Sequence, residues 1–113
     1  MYYLAHTLYL SRNEVRPLYV VEVSQDAVVR CFPFENELQS MRLVDKLILS
    51  DRELPGIVHS MDNVLPDTSP QLSDSILYEV KPISNPNVSS ILQSEVVNDD
   101  AFLLIPLSGK LRL

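Results

Sequence analysis

The chain has 113 residues, of which 46% are hydrophobic and 21% charged, and fifteen acidic against nine basic side chains leave a net charge of −6. That balance excludes wholesale disorder and fits one globular domain, residues 1–113. It is too short for a complete (β/α)8 barrel, which needs about 250 residues. Three lysines and six scattered arginines make no cationic cluster able to displace counterions from a phosphate backbone or to hold an anionic bilayer, so neither nucleic acid nor membrane is an expected partner.

The apolar periodicity reads as strands from the start. Residues 3–10 alternate, with Leu4, His6, Leu8 and Leu10 on one face and Tyr3, Ala5, Thr7 and Tyr9 on the other. Residues 11–14 form a short loop. Residues 18–23 and 28–32 are Val-rich and flank the compact turn 24–26, which predicts a hairpin even though Gln-Asp is not the favoured turn dipeptide. Pro33 ends the third strand, and 34–40, which carries Glu35 and Glu37, reads as a polar loop or one helical turn. Residues 41–44 and 47–50 read as a second tight hairpin about Asp45-Lys46. A helix over 35–49 competes, because Leu38, Met41, Val44, Leu47 and Ile48 recur at near-helical spacing.

Residues 51–75 differ in kind. Pro55, Pro66 and Pro70 stand among Asp51, Asp62, Asp67 and Asp74 with no clear period, which predicts a long functional or disordered loop. Strand character resumes over 76–83. Asn85 or Asn87 is placed to cap a short helix over 88–97, and 101–107 is a last strand before a turn at Ser108-Gly109. The expected fold is therefore mainly β, a small β-sandwich or partly open barrel with one short helix near the C-terminus. The two strand clusters at the ends of the chain pack into one core.

The run Leu47-Ile48-Leu49-Ser50 followed by Leu54-Pro55-Gly56-Ile57-Val58-His59, preceded by Val20–Val23 and Val28–Arg30, resembles the composite β-domain at the start of amidohydrolase-type metal-dependent hydrolases. There a Pro-Gly-aliphatic-aliphatic-Asp-x-His-x-His run leads into the catalytic barrel. The resemblance spans roughly residues 2–63 and implies a stand-alone composite domain. In this sequence His59 stands at the aspartate position, and Met61 and Asn63 stand where the two metal histidines would be. The resemblance therefore implies no metal pair, and the chain has no room for the barrel that would carry the other ligands.

Chemistry-bearing residues are few. A zinc centre needs three or four convergent ligands, and His6, His59 and Asp62, with Cys31, match no usual ligand spacing. Neither a metal nor a cofactor is expected. Cys31 lies in an apolar strand with Arg30 on the opposite face, which suits a structural thiol better than a nucleophile. No serine stands in a Gly-x-Ser-x-Gly elbow. Gly56 and Gly109 stand alone, so no phosphate-cradling loop exists. Glu35 and Glu37 read as solvated charge. The absence of a signal-peptide pattern in the first residues and the single cysteine, which has no internal disulfide partner, point to a reduced, cytoplasmic setting. The sequence thus reads as a non-enzymatic binding or assembly module. With so few lysines to guard its strand edges, a homodimer through an edge or an apolar face is expected, and a separate protein partner is compatible. The alternatives are a small ligand-binding barrel with 51–75 as a lid, and a hydrolase-related subunit that needs a partner chain.

Overall fold

The computed structural model describes residues 1–83 and 101–109. The alternating and Val-rich segments become strands, as their patterns predict: β1 (Tyr2–Tyr9), β2 (Val15–Ser24), β3 (Ala27–Pro33), β4 (Met41–Ser50), β5 (Ile57–Val58), β6 (Ile76–Ile83) and β7 (Ala101–Pro106). They form one mixed seven-stranded sheet in the order β3-β2-β1-β4-β6-β7-β5. Among the described strands only β1 and β4 run parallel; every other pair is antiparallel. The fold is mainly β. The helix expected over 88–97 and the alternation of Leu111 and Leu113 lie outside the described residues.

The sheet curls until β3 touches β6, four places away in the strand order. The 3-10 turn Leu72–Asp74 packs on β3 at this seam. Two long-range hydrogen bonds add to it: the Gly109 amide donates to the Asp26 carbonyl at 2.7 Å, and the Met1 ammonium donates to the Val23 carbonyl at 2.8 Å. Inside lies the main core, built from Tyr3, Ala5, Leu8, Val21, Val23, Val28, Val44, Leu47, Leu49 and Leu77. This is the partly open barrel.

A second core sits on the outside of β4, β6 and β7, where Ile48, Ile76, Tyr78, Val80 and Leu104 meet Val58 and Leu65. The long segment 51–75 supplies its cover, with Leu54, Met61 and Val64 packed around it. The segment is tied down: the Leu54 amide donates to the Tyr78 hydroxyl at 3.1 Å, and Arg12 donates through its amide and Nε to the carbonyls of Pro66 and Leu65. Its apolar residues lack a period because they reach one patch from a short strand, a 3-10 turn and loop, so no repeating pattern marks a second core.

Two local expectations are revised. Residues 41–50 are one strand, neither a tight hairpin nor a helix. The reason is position: Val44 and Lys46 on either side of Asp45 pair with Ala5 and Thr7 of β1, and Lys46 also pairs with Val80 of β6, so the chain runs on through Asp45 without turning. Asp45 turns to solvent, and the Lys46 ammonium lies 5.7 Å from the Phe102 ring centre. The β2–β3 hairpin does form, and Gln25 and Asp26 at its turn both adopt positive φ, 52° and 65°. That is the type I′ geometry whose twist suits a hairpin; Asp26 tolerates it, and it is imposed on Gln25.

Candidate functional site

The site grows from a break in the pleat. Along β1 the core takes Tyr3 and Ala5, and then Leu8 and Leu10; along β4 it takes Val44, and then Leu47 and Leu49. Strict alternation cannot do this, because side chains in a strand change face at every residue. Both strands shift phase at one level, where His6 sits between Leu18 and Asp45, and neither ladder of β1 includes His6. On β2 the break falls on Leu18, which has φ 47°. Left-handed backbone costs an L-residue about 1–2 kcal/mol, and glycine or asparagine would be the ordinary choice.

Beside the break, the outer side of the sheet carries a cross-strand apolar row. Leu43 on β4, Leu4 on β1, Val20 on β2 and Phe32 on β3 stand opposite one another in register, with Val20 fully buried between its neighbours and Leu43 open to solvent. The next row is Met41, Tyr2, Glu22 and Arg30, in which the Arg30 guanidinium binds Glu22 and lies over the Phe32 ring. Glu22, and to a lesser degree Tyr2, hold the Arg30 pKa above its ordinary value, so this cation is fixed. Leu4, His6, Leu18, Leu43, Val44 and Asp45 line a shallow open depression of about 300 Å³. Leu43 is 75% exposed and Leu18 50%. Single exposed leucines are ordinary; two of them around one apolar hollow, one on strained backbone, are not.

A second groove, of about 440 Å³, opens within the 51–75 segment. Its floor is Leu54, Pro55, Ile57, Val58 and Val64, and its polar rim is Arg52, Glu53, His59 and Asn63. The segment therefore forms this groove itself while it covers the second core.

The residues singled out in the sequence are dispersed. His6 lines the outer depression and His59 the groove beside β5. The strands that carry or adjoin them, β1 and β5, stand four places apart in the sheet, about 19 Å measured along its curve at ordinary strand spacing. Asp62 is exposed in the 3-10 turn Met61–Asn63. Among the described residues no three His, Cys, Asp or Glu side chains are grouped so as to hold a metal ion. Met61 packs on the second core and Asn63 lines the groove. Cys31 is half-buried against the main core, with Arg30 on the other face. Burial pushes its thiol above the ordinary value, and Arg16 offsets part of that, so little thiolate is present near neutrality. Glu35 and Glu37 are exposed in the loop before β4.

The apolar outer row was partly legible in the alternation of 3–10, which puts Leu4 and His6 together. Leu18 and Leu43 were missed, since nothing in a single sequence marks a positive φ at leucine. Among the described residues no helix is long and apolar enough to cross a membrane. No family model, no curated protein and no solved structure matches the chain.

Proposed function

We propose that this chain is a non-enzymatic binding or assembly module and that its working surface is the outer face around Leu4, Leu18 and Leu43. The observation that carries this reading is Leu18, which is unfavourable on two counts: it occupies left-handed backbone, and it leaves half its apolar surface in water. Folding alone favours neither feature, and departures from local consistency concentrate at functional positions. In this reading the segment similar to the amidohydrolase composite domain contributes scaffold strands and no chemistry.

The test is saturable binding of an apolar fluorescent dye by the full chain at submicromolar concentration. The expected result is binding that Leu43→Lys abolishes without lowering the melting temperature. Equal dye binding by the two proteins would refute the assignment of the face.

The groove lined by Arg52, Glu53, His59 and Asn63 favours a second reading, a small-molecule binder. Its volume falls in the usual range for ligand sites, and it combines an apolar floor with a few polar groups. In that case ligand-induced shifts would centre on residues 52–64 and leave Leu43 unmoved.

A further inference from the structure

We infer that the partner of the outer face is a second copy of this chain, joined about a twofold axis with Leu43 of each copy seated in the depression beside Leu18 of the other. The inference rests on the reading that this face is the working surface, and it names the occupant.

Three observations point to a copy. First, knob and hole are neighbours. Leu43, the most exposed apolar side chain among the described strand residues, lines the rim of the depression it would fill in the other molecule. A patch that presents both halves of a contact side by side is self-complementary, so the contact closes at two copies; a knob and hole on different faces would instead propagate a fibre.

Second, the charge distribution leaves this face as a place where two copies can meet. The chain carries −6, and Asp51, Glu53, Asp62, Asp67 and Asp74 crowd the 51–75 segment. Around the depression Leu4, Leu18, Leu43 and Val44 are uncharged. Among the described residues the one carboxylate lining it is Asp45, set across from His6, and the row beyond carries the paired Arg30 and Glu22.

Third, the strand edges are poor alternatives. The β3 edge has a bulge opposite Glu22/Val23, carries Arg30, ends in Pro33 and is packed by the Leu72–Asp74 turn; β5 at the other edge has two residues. Bulges, charges, proline and short strands are the usual guards against edge pairing.

The size of the face sets the strength of the contact. The open apolar surface is Leu43, Leu18 and part of Leu4, with Val20 and Val44 buried beneath them, and a patch of three leucines gives at most roughly 600 Å² for the pair. That is below the roughly 1,200 Å² at which stable complexes begin. The dimer is accordingly reversible and concentration-dependent.

Sedimentation equilibrium of the full chain from 5 to 500 µM tests this, alongside Leu43→Lys and a control, Leu103→Lys, on the exposed part of β7. The expected result is a monomer–dimer equilibrium weakened about tenfold or more by Leu43→Lys and unchanged by Leu103→Lys, with circular dichroism melts showing all three folded. A dimer indifferent to Leu43→Lys overturns the placement. A monomer at every concentration that still binds the dye through Leu43 overturns the second copy alone. A monomer that binds no dye overturns this inference and the assignment of the face together.

Discussion

Position 18 should invert the usual ranking of alanine and glycine. In an ordinary strand, Ala is more stable than Gly by about 0.5–1 kcal/mol, because glycine loses more backbone freedom on folding. At Leu18 the backbone has φ 47°, which costs any L-residue about 1–2 kcal/mol and glycine nothing. Leu18→Ala keeps that cost. It also loses what the half-exposed side chain contributes, about 1 kcal/mol if full burial of a leucine contributes about 1.5–3. Leu18→Gly loses the same contact but sheds the backbone cost, so L18G should be more stable than L18A by about 0.5–1 kcal/mol. Leu43 supplies the contrast. It is also exposed and on the same face, but its φ is not positive, so L43A should be more stable than L43G by a similar margin. The inversion between the two sites, about 1–2 kcal/mol, is several degrees of melting temperature for a domain of this size. Urea unfolding followed by circular dichroism reads it. If Ala exceeds Gly by the same margin at both positions, the strained conformation is wrong, and the strongest argument for a functional face goes with it.

Three other outcomes follow from the same packing. Glu79→Gln should destabilise the fold by about 1–2 kcal/mol, because the buried carboxylate accepts from Arg42 at 3.0 Å and lies 3.9 Å from the Lys81 ammonium; both cations are about half-exposed, so denaturation in 1 M salt should reveal a smaller loss. Gln25→Asn should stabilise by about 0.5–1 kcal/mol, since asparagine accepts the left-handed conformation that the hairpin turn imposes, and a thermal melt will show the gain. Cys31 should alkylate with iodoacetamide more slowly than a free thiol at pH 7.5. A raised thiol value means less thiolate at any given pH, so the rate should climb only at pH values above those at which a free cysteine ionises; mass spectrometry against a Cys peptide measures both points.

Most of the sheet was legible because its signal is local. The alternation of residues 3–10, the Val-rich pair around 24–26 and the run at 76–83 each carry their period within a few residues. Residues 41–50 misled because Asp45-Lys46 resembles a turn when the neighbours are unknown. Only the ladders to β1 and β6 hold it straight, and those are long-range contacts. The same limit hid the second core, whose Val58, Met61 and Leu65 converge from a two-residue strand, a 3-10 turn and the loop after it. The candidate site was the least legible part. Its depression exists because three strands break phase at His6, Leu18 and Asp45, residues far apart in the chain that become neighbours through strand register. Alternation alone placed Leu4, His6 and Leu8 on one face, whereas the phase break sends Leu8 into the core and leaves Leu4 and His6 outside.

The most direct measurement is a methyl NOE experiment on a mixed sample, half isotope-labelled and half unlabelled, at several hundred micromolar. It reports only contacts between molecules. The account predicts cross-peaks from the Leu43 methyls of one chain to Leu18 and Leu4 of another. Intermolecular peaks confined to Ile57 and Leu103, or none at a concentration where sedimentation finds dimer, would contradict it.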